Sequence, residues 1–67
     1  MKLVVNGEPF EYPGEQRLGP VLLAYGVAEV ARVAVVLGDT MVPREKQAQW
    51  PVHDGDRIEI LIFAGGG

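Results

Sequence analysis

The stretch that decides the fold is the opening hairpin, Met1-Lys2-Leu3-Val4-Val5-Asn6-Gly7-Glu8-Pro9-Phe10-Glu11-Tyr12. Apolar residues alternate along its first half, with Leu3 and Val5 on one face, which is typical of a β-strand. Asn6-Gly7 follows as the commonest short hairpin turn, because both residues tolerate a positive φ. Residues 8–12 then form the returning strand. The chain therefore opens with a predicted β-hairpin.

One short helix is predicted after the hairpin. Four apolar residues from Leu18 to Tyr25 fall at helical spacing, and Gly26 suits the left-handed position after a helix end. Gly19-Pro20 lies inside this pattern, and proline is tolerated in a first turn because its missing N–H would have no partner there. The helix is therefore predicted from Gly19 or Pro20 to Tyr25.

Three further strands are predicted in the second half of the chain. Residues 32–37 are apolar at almost every position and predict a strand covered on both faces. Residues 40–42 suggest a short return strand, residues 44–50 a polar loop with a helical turn, and residues 57–63 a well-alternating final strand. The fold class is therefore α+β, with a mixed sheet of four to five strands and one main helix on one face. The other sheet face is expected to be open.

Composition excludes several classes of protein. The 67 residues are expected to form one domain over 1–67, with no cysteine for a disulfide or a thiolate metal site. The net charge of −3 without a basic run argues against nucleic-acid binding. No apolar run exceeds five residues, and no signal peptide is recognisable. We expect a cytoplasmic protein that does not associate with a membrane.

Catalytic side chains are not evident. His53 is the single histidine and is followed by Asp54 and Asp56 in a predicted turn. A general base needs a shaped pocket, and two carboxylates in one loop are too few ligands for a dedicated calcium site. We therefore predict no catalytic residue, no metal ion and a protein that is not an enzyme.

The C-terminal Gly65-Gly66-Gly67 offers a different chemistry. Glycine is costly to order and has no side chain for a core, so residues 64–67 are expected to form a flexible tail. Such a thin tail can pass through a channel that any β-carbon would block and can present its carboxylate to another protein's active site. An ionised carboxylate is a poor electrophile, so acyl chemistry there needs activation, most simply adenylation with ATP. On the residues alone, a frayed end or a linker explains the glycines equally well.

Five segments resemble the ThiS family, the ubiquitin-like sulfur carriers of thiamine thiazole synthesis. The matching segments are Lys2-Leu3-Val4-Val5-Asn6-Gly7-Glu8, Met41-Val42-Pro43-Arg44-Glu45, Trp50, Val52-His53-Asp54-Gly55-Asp56-Arg57-Ile58-Glu59-Ile60 and Phe63-Ala64-Gly65-Gly66-Gly67. The resemblance covers essentially the whole chain and is most specific in its last third. Gly19-Pro20 departs from it, since good helix formers usually stand there.

The resemblance implies a β-grasp fold and a protein co-substrate with no bound cofactor. A ThiF-like adenylating enzyme would consume ATP to form an acyl adenylate on Gly67. Sulfur from a cysteine desulfurase or another persulfide donor would displace AMP and leave a thiocarboxylate, which thiazole synthase (ThiG) would use. Gly65 and Gly66 would thread the partner's channel.

The final strand also suggests a partner docking site at Leu61 and Phe63. Both alternate with Ile58, Ile60 and Ile62. If the isoleucines face the helix, Leu61 and Phe63 lie on the open sheet face beside the tail, where two exposed apolar residues indicate a contact surface.

Three alternatives stay open. The first is a sulfur carrier for molybdopterin synthesis, tRNA thiolation or cysteine synthesis, with identical chemistry at Gly67. A second alternative is a β-grasp interaction domain whose glycines are inert. The third is a protein modifier joined through Gly67 to a lysine of its target.

Overall fold

The computed structural model describes residues 1–62, which form a mixed five-stranded sheet with one main helix. The strands are β1 (Lys2–Val5), β2 (Glu8–Glu11), β3 (Val33–Leu37), β4 (Thr40–Met41) and β5 (Arg57–Ile62). The helix α1 spans Leu18–Tyr25, and two 3-10 helices cover Val30–Arg32 and Arg44–Gln49. The predicted order of elements is confirmed, and the Val30–Arg32 turn is an addition to it. No helix in this part of the chain is long and apolar enough to cross a bilayer.

The strand order places the last strand in the middle of the sheet, as β2-β1-β5-β3-β4. β1 and β2 are antiparallel and joined through Asn6 and Gly7, whose φ values of 51° and 81° match the predicted turn. β5 pairs parallel with β1, and antiparallel with β3 over five residue pairs from Val33↔Ile62 to Leu37↔Ile58. β5 is therefore held by β1 and β3 at its start and by β3 alone at its last residues.

The core lies between α1 and one face of the sheet. Its fully buried members from these elements are Leu3, Val5, Leu18, Val21, Leu22, Val35 and Ile58. α1 begins at Leu18, slightly before the predicted start, so that Pro20 lies in its first turn as expected. It ends at Tyr25 and is capped by Gly26, which has a φ of 115° and donates its N–H to the carbonyls of Leu22 and Leu23.

The opposite face of the sheet is open, and this corrects the prediction for β3. Val33 and Val35 are buried against the core, but Ala34 and Val36 are only half-buried. The continuous apolar run predicts that both faces of β3 are covered. Among residues 1–62, however, α1 packs only on the face that carries Val33 and Val35. The sheet therefore presents an uncovered apolar strip.

The loop 44–49 also contributes to the interior. Gln47 is 2% exposed, and its Nε2 donates to the carbonyl oxygens of Val30 and Val33, each at 3.0 Å. The amide thus ties the Arg44–Gln49 helix to the start of β3. The polar composition of residues 44–50 predicts a loop with a helical turn, but it does not reveal this buried glutamine.

Candidate docking site at the end of β5

β5 determines where the chain leaves the described structure. It runs between β1 and β3, and its last pair is Val33↔Ile62. The ladder with β1 covers only Arg57 and Ile58, so the pairing with Val33 in β3 is what positions residue 62. The sequence-predicted site residues Phe63, Gly65, Gly66 and Gly67 lie outside the described residues, so their roles stay predictions.

Leu61 lies on the open face, as the alternation of β5 predicts. Its side chain is 46% exposed, whereas Ile58 and Ile60 on the opposite face are buried. The register places Ala34 directly beside it in β3. Its proposed docking role is a separate matter and stays a prediction.

Three residues outside β5 extend this apolar surface. Ala34 is the cross-strand partner of Leu61, and Val36 is the partner of Met41 in β4. Met41 is 62% exposed. We call Ala34, Val36, Met41 and Leu61 the open-face patch. Its first three members were not predicted from the sequence, although residues spaced by two along one strand, such as Ala34 and Val36, must share a face.

Charged residues border the open-face patch. Glu59 lies opposite Val36 of β3, and Arg57, the first residue of β5, lies opposite Val4 of β1. Lys2 and Glu11 face each other at the far side of the sheet. An apolar centre bordered by charges is the arrangement found in protein interfaces. This face is therefore suited to bind a protein surface.

On the helix side of the sheet, the last residue of β5 is exposed. Ile62 alternates with Ile58 and Ile60 but is 73% exposed. The cause is the length of the helix, because α1 ends at Tyr25 and does not cover the last residue of β5. An open pocket of about 360 Å³ lies there, and Ile60 and Ile62 form part of its wall.

The polar turn before β5 is structural. The Asp54 carboxylate accepts the Lys2 backbone N–H at 2.6 Å, and the Asp56 carboxylate accepts that of His53 at 2.7 Å. The Gly55 N–H donates to the Lys2 carbonyl. Both carboxylates therefore fasten the turn to the backbone, and among residues 1–62 no group of three potential metal ligands comes together.

Comparisons with known proteins agree on one family. The chain matches the family model described as "ThiS family" over residues 3–67. The crystal structure of a thiamine biosynthesis protein (ThiS) from Geobacter metallireducens superposes with a TM-score of 0.79 at 38% identity, covering 100% of both chains. The β-grasp fold expected from the resemblance is therefore confirmed.

Two similar proteins differ in how much of their own length this chain covers. The thiazole synthase of Paramagnetospirillum magneticum is 40% identical over 67 residues, which are 100% of this chain and 20% of that protein. The chain thus spans about a fifth of that relative. The uncharacterized protein ycf40 of Porphyra purpurea is 30% identical over 67 residues, which are 93% of its own length.

Proposed function

This chain belongs to the ThiS family, and we propose that it is a sulfur carrier protein whose C-terminal carboxylate becomes a thiocarboxylate for thiamine thiazole formation. The observation that carries the proposal is the family match over residues 3–67, which includes the terminal glycines. The open-face patch beside the end of β5 supports it, because a carrier must dock on the enzymes that act on its terminus.

The proposed chemistry has two stages on Gly67. The carboxylate attacks the α-phosphorus of ATP, so that pyrophosphate leaves and an acyl adenylate forms. The terminal sulfur of a persulfide then attacks the acyl carbon and displaces AMP, which gives an acyl disulfide. A thiol reduces that disulfide, is itself oxidised to a disulfide, and releases the thiocarboxylate. With inorganic sulfide as donor, attack yields the thiocarboxylate directly and needs no reductant.

In this proposal the chain supplies a substrate and not a catalyst. ATP is consumed by the adenylating enzyme, and no cofactor is bound by the carrier. Gly65 and Gly66 pass through the enzyme's channel, because a backbone without β-carbons is the thinnest that a protein offers. The described residues contribute position, since the pairing of β5 with β3 extends to Ile62.

The proposed partners are a ThiF-like adenylating enzyme, a cysteine desulfurase or other persulfide donor, and thiazole synthase (ThiG). The thiazole synthase of P. magneticum supports the last, because a segment 40% identical to this whole chain occurs within that protein. Joining a carrier to the enzyme that uses it raises their effective concentration without any new contact. A separate carrier must obtain the same encounter through its docking surface.

The test is the intact mass of the chain after incubation with the adenylating enzyme, ATP and sulfide. We expect an ATP-dependent exchange of oxygen for sulfur at Gly67. Oxidation of Met1, Met41 or Trp50 gives nearly the same mass change, so iodoacetamide is added. Because the chain has no cysteine, a thiocarboxylate would be its one anionic sulfur, and iodoacetamide alkylates it far faster than the neutral thioethers of Met1 and Met41.

A variant with one extra alanine after Gly67 is the matched control and should show no alkylated product. An unchanged wild-type mass, with an adenylating enzyme shown to be active on another carrier, would contradict the proposal. Adding thiazole synthase with its other substrates should return the thiocarboxylate to carboxylate. If that reversal fails while the thiocarboxylate forms, the carrier serves another sulfur acceptor.

A further inference from the structure

The pocket at the end of β5 is a recessed surface, separate from the open-face patch. We call it the β5-end pocket, and it measures about 360 Å³, within the range of roughly 300–1,000 Å³ typical of ligand pockets. Its apolar wall is formed by Tyr25, Val27, Val33, Ile60 and Ile62. It lies on the helix side of β5, whereas the open-face patch lies on the other side.

The walls of this pocket are fixed by hydrogen bonds and packing. The Val27 N–H bonds to the Leu22 carbonyl, and the Tyr25 ring packs edge-on against Phe10 with centroids 5.2 Å apart. On the sheet side, the Asn6 Oδ1 accepts the Ile60 backbone N–H at 2.8 Å. The cavity is thus preformed, which lowers the entropy cost of filling it.

The outer wall is anchored as well. Arg44 donates to the Ala31 carbonyl at 2.8 Å, and Gln47 donates to the Val30 carbonyl. Glu29 and Arg32 stand at the rim with their charged groups 3.8 Å apart and both side chains largely exposed. An apolar floor with a polar rim is the anatomy of a binding hot spot.

The position of Ile62 relates this pocket to the chain terminus. Residues 63–67 follow Ile62, and a fully extended chain spans at most about 3.6 Å per residue, so Gly67 lies within ~18 Å of it. An enzyme that encloses the Gly67 carboxylate in its active site therefore comes close to the end of β5, where this pocket opens. This step rests on the proposed function.

We propose that the β5-end pocket receives one aromatic side chain of the adenylating enzyme. Aromatic residues dominate the anchors that fill such pockets. Tyr25 in the wall offers a ring for edge or stacked contact, and the aliphatic Ile60 and Ile62 supply apolar area. Insertion covers Ile62, the most exposed large hydrophobic residue of the described chain.

The experiment measures the Kd of the adenylating enzyme for the carrier and three variants. Ile62→Ala removes part of the wall, and Ala28→Trp fills the pocket from its rim. Leu23→Ala is the matched control, because Leu23 is an aliphatic residue of α1 that is 59% exposed and does not line the pocket. We expect both pocket variants to weaken binding about tenfold or more, and the control about twofold or less.

A crosslink identifies the occupant. A photoreactive benzophenone side chain placed at position 28 should crosslink to a peptide of the adenylating enzyme that contains an aromatic residue. Crosslinks to a second copy of the carrier, or to residues 63–67 of the same chain, would overturn the proposal by naming another occupant. Circular dichroism of each variant checks that a loss of binding is not a loss of fold.

The outcomes separate this inference from the proposed function. If Ile62→Ala and Ala28→Trp bind like wild type while Gly67 is still converted, the pocket inference is wrong and the carrier function stands. If wild-type Gly67 is never modified, both fail together. Weakened binding of the two pocket variants, with intact folding and an enzyme crosslink at position 28, supports the inference.

Discussion

Gly19 shows how the absence of one side chain sets the packing of α1. It is buried in the first turn of the helix, and a Cβ built on it would lie 2.9 Å from the Ala48 carbonyl oxygen. Backbone atoms cannot move aside as a flexible side chain can. The residue that looked unfavourable in the sequence is therefore explained by the close approach of the Arg44–Gln49 helix.

Gly19→Ala should lower the free energy of unfolding by about 1–2 kcal/mol. Helix propensity favours alanine by ~1 kcal/mol, but overpacking costs about 1–3 kcal/mol, and here the contact is with backbone. Thermal denaturation measures the effect, since ~1 kcal/mol shifts the midpoint of a domain of this size by about 4–8 °C. Ala24→Gly, at an exposed position of α1, gives the propensity effect alone. A Gly19→Ala variant more stable than wild type would contradict the packing explanation.

Asn6 is the second residue whose role depends on its surroundings. Its backbone N–H bonds to the Ile58 carbonyl at 2.8 Å, and its side-chain oxygen accepts the Ile60 N–H. The side chain thus continues the β1–β5 ladder after the backbone of β1 has turned away. Its φ of 51° is one that asparagine tolerates well.

We expect stability to fall in the order wild type, Asn6→Asp, Asn6→Gly, Asn6→Ala. The Asp variant keeps an acceptor for the Ile60 N–H. The Gly variant loses this hydrogen bond and with it about 1 kcal/mol of unfolding free energy, and the Ala variant also adds backbone strain of ~1–2 kcal/mol at positive φ. Urea denaturation of the four proteins checks the order. Equal stability of the Asp and Ala variants would show that the hydrogen bond to Ile60 contributes nothing.

At the scale of elements, β5 combines buried core residues and exposed apolar residues within six positions. Ile58 and Ile60 are buried in the core, while Leu61 and Ile62 are exposed on opposite faces at the strand's end. The pairing with β3 extends to Ile62. Removing an exposed side chain there costs little core area, so binding and stability can be separated by mutation.

Leu61→Ala and Phe63→Ala should each weaken binding to the adenylating enzyme more than they lower stability. For Leu61, 46% exposed, we expect a loss of less than ~1 kcal/mol in unfolding free energy and roughly tenfold weaker binding. Isothermal titration and thermal denaturation give the two values, with Leu23→Ala as control. A loss of about 3 kcal/mol or more in the unfolding free energy of Phe63→Ala, typical of a core phenylalanine, would contradict the docking role of that residue.

At the scale of the whole molecule, folding and the proposed chemistry reside in different parts of the chain. The core is built from residues of β1, α1, β3 and β5 together with Tyr12, Val42 and Val52. The three terminal glycines have no side chains to add to it. We therefore expect the fold to persist when these glycines are removed.

Deleting residues 65–67 should leave the thermal midpoint within a few degrees of wild type and abolish the ATP-dependent, alkylatable product. Differential scanning calorimetry and intact mass measure the two effects on the same sample. A large drop in the midpoint would show that the glycines matter to folding. Conversion of the shortened chain at the wild-type rate would argue against Gly67 as the sulfur-bearing residue.

The sequence by itself determined the local elements and the family. The Asn6-Gly7 turn, the helix ending before Gly26 and the final strand predicted at residues 57–63 are local patterns, and each is confirmed as far as residue 62. Local patterns suffice here because turn geometry, helix capping and strand periodicity depend on residues a few positions apart. The resemblance to the ThiS family likewise rested on contiguous segments.

The tertiary structure alone decided which elements became neighbours. In the folded chain β5 lies between β1 and β3, and Met41 lies in the open-face patch with Leu61. The same packing buries Gln47. It also left Ile62 exposed over a pocket, because α1 stops at Tyr25. Periodicity tells which face of a strand a residue occupies, but the cover on that face depends on the length and placement of distant elements. Those long-range contacts are fixed only when the whole chain packs.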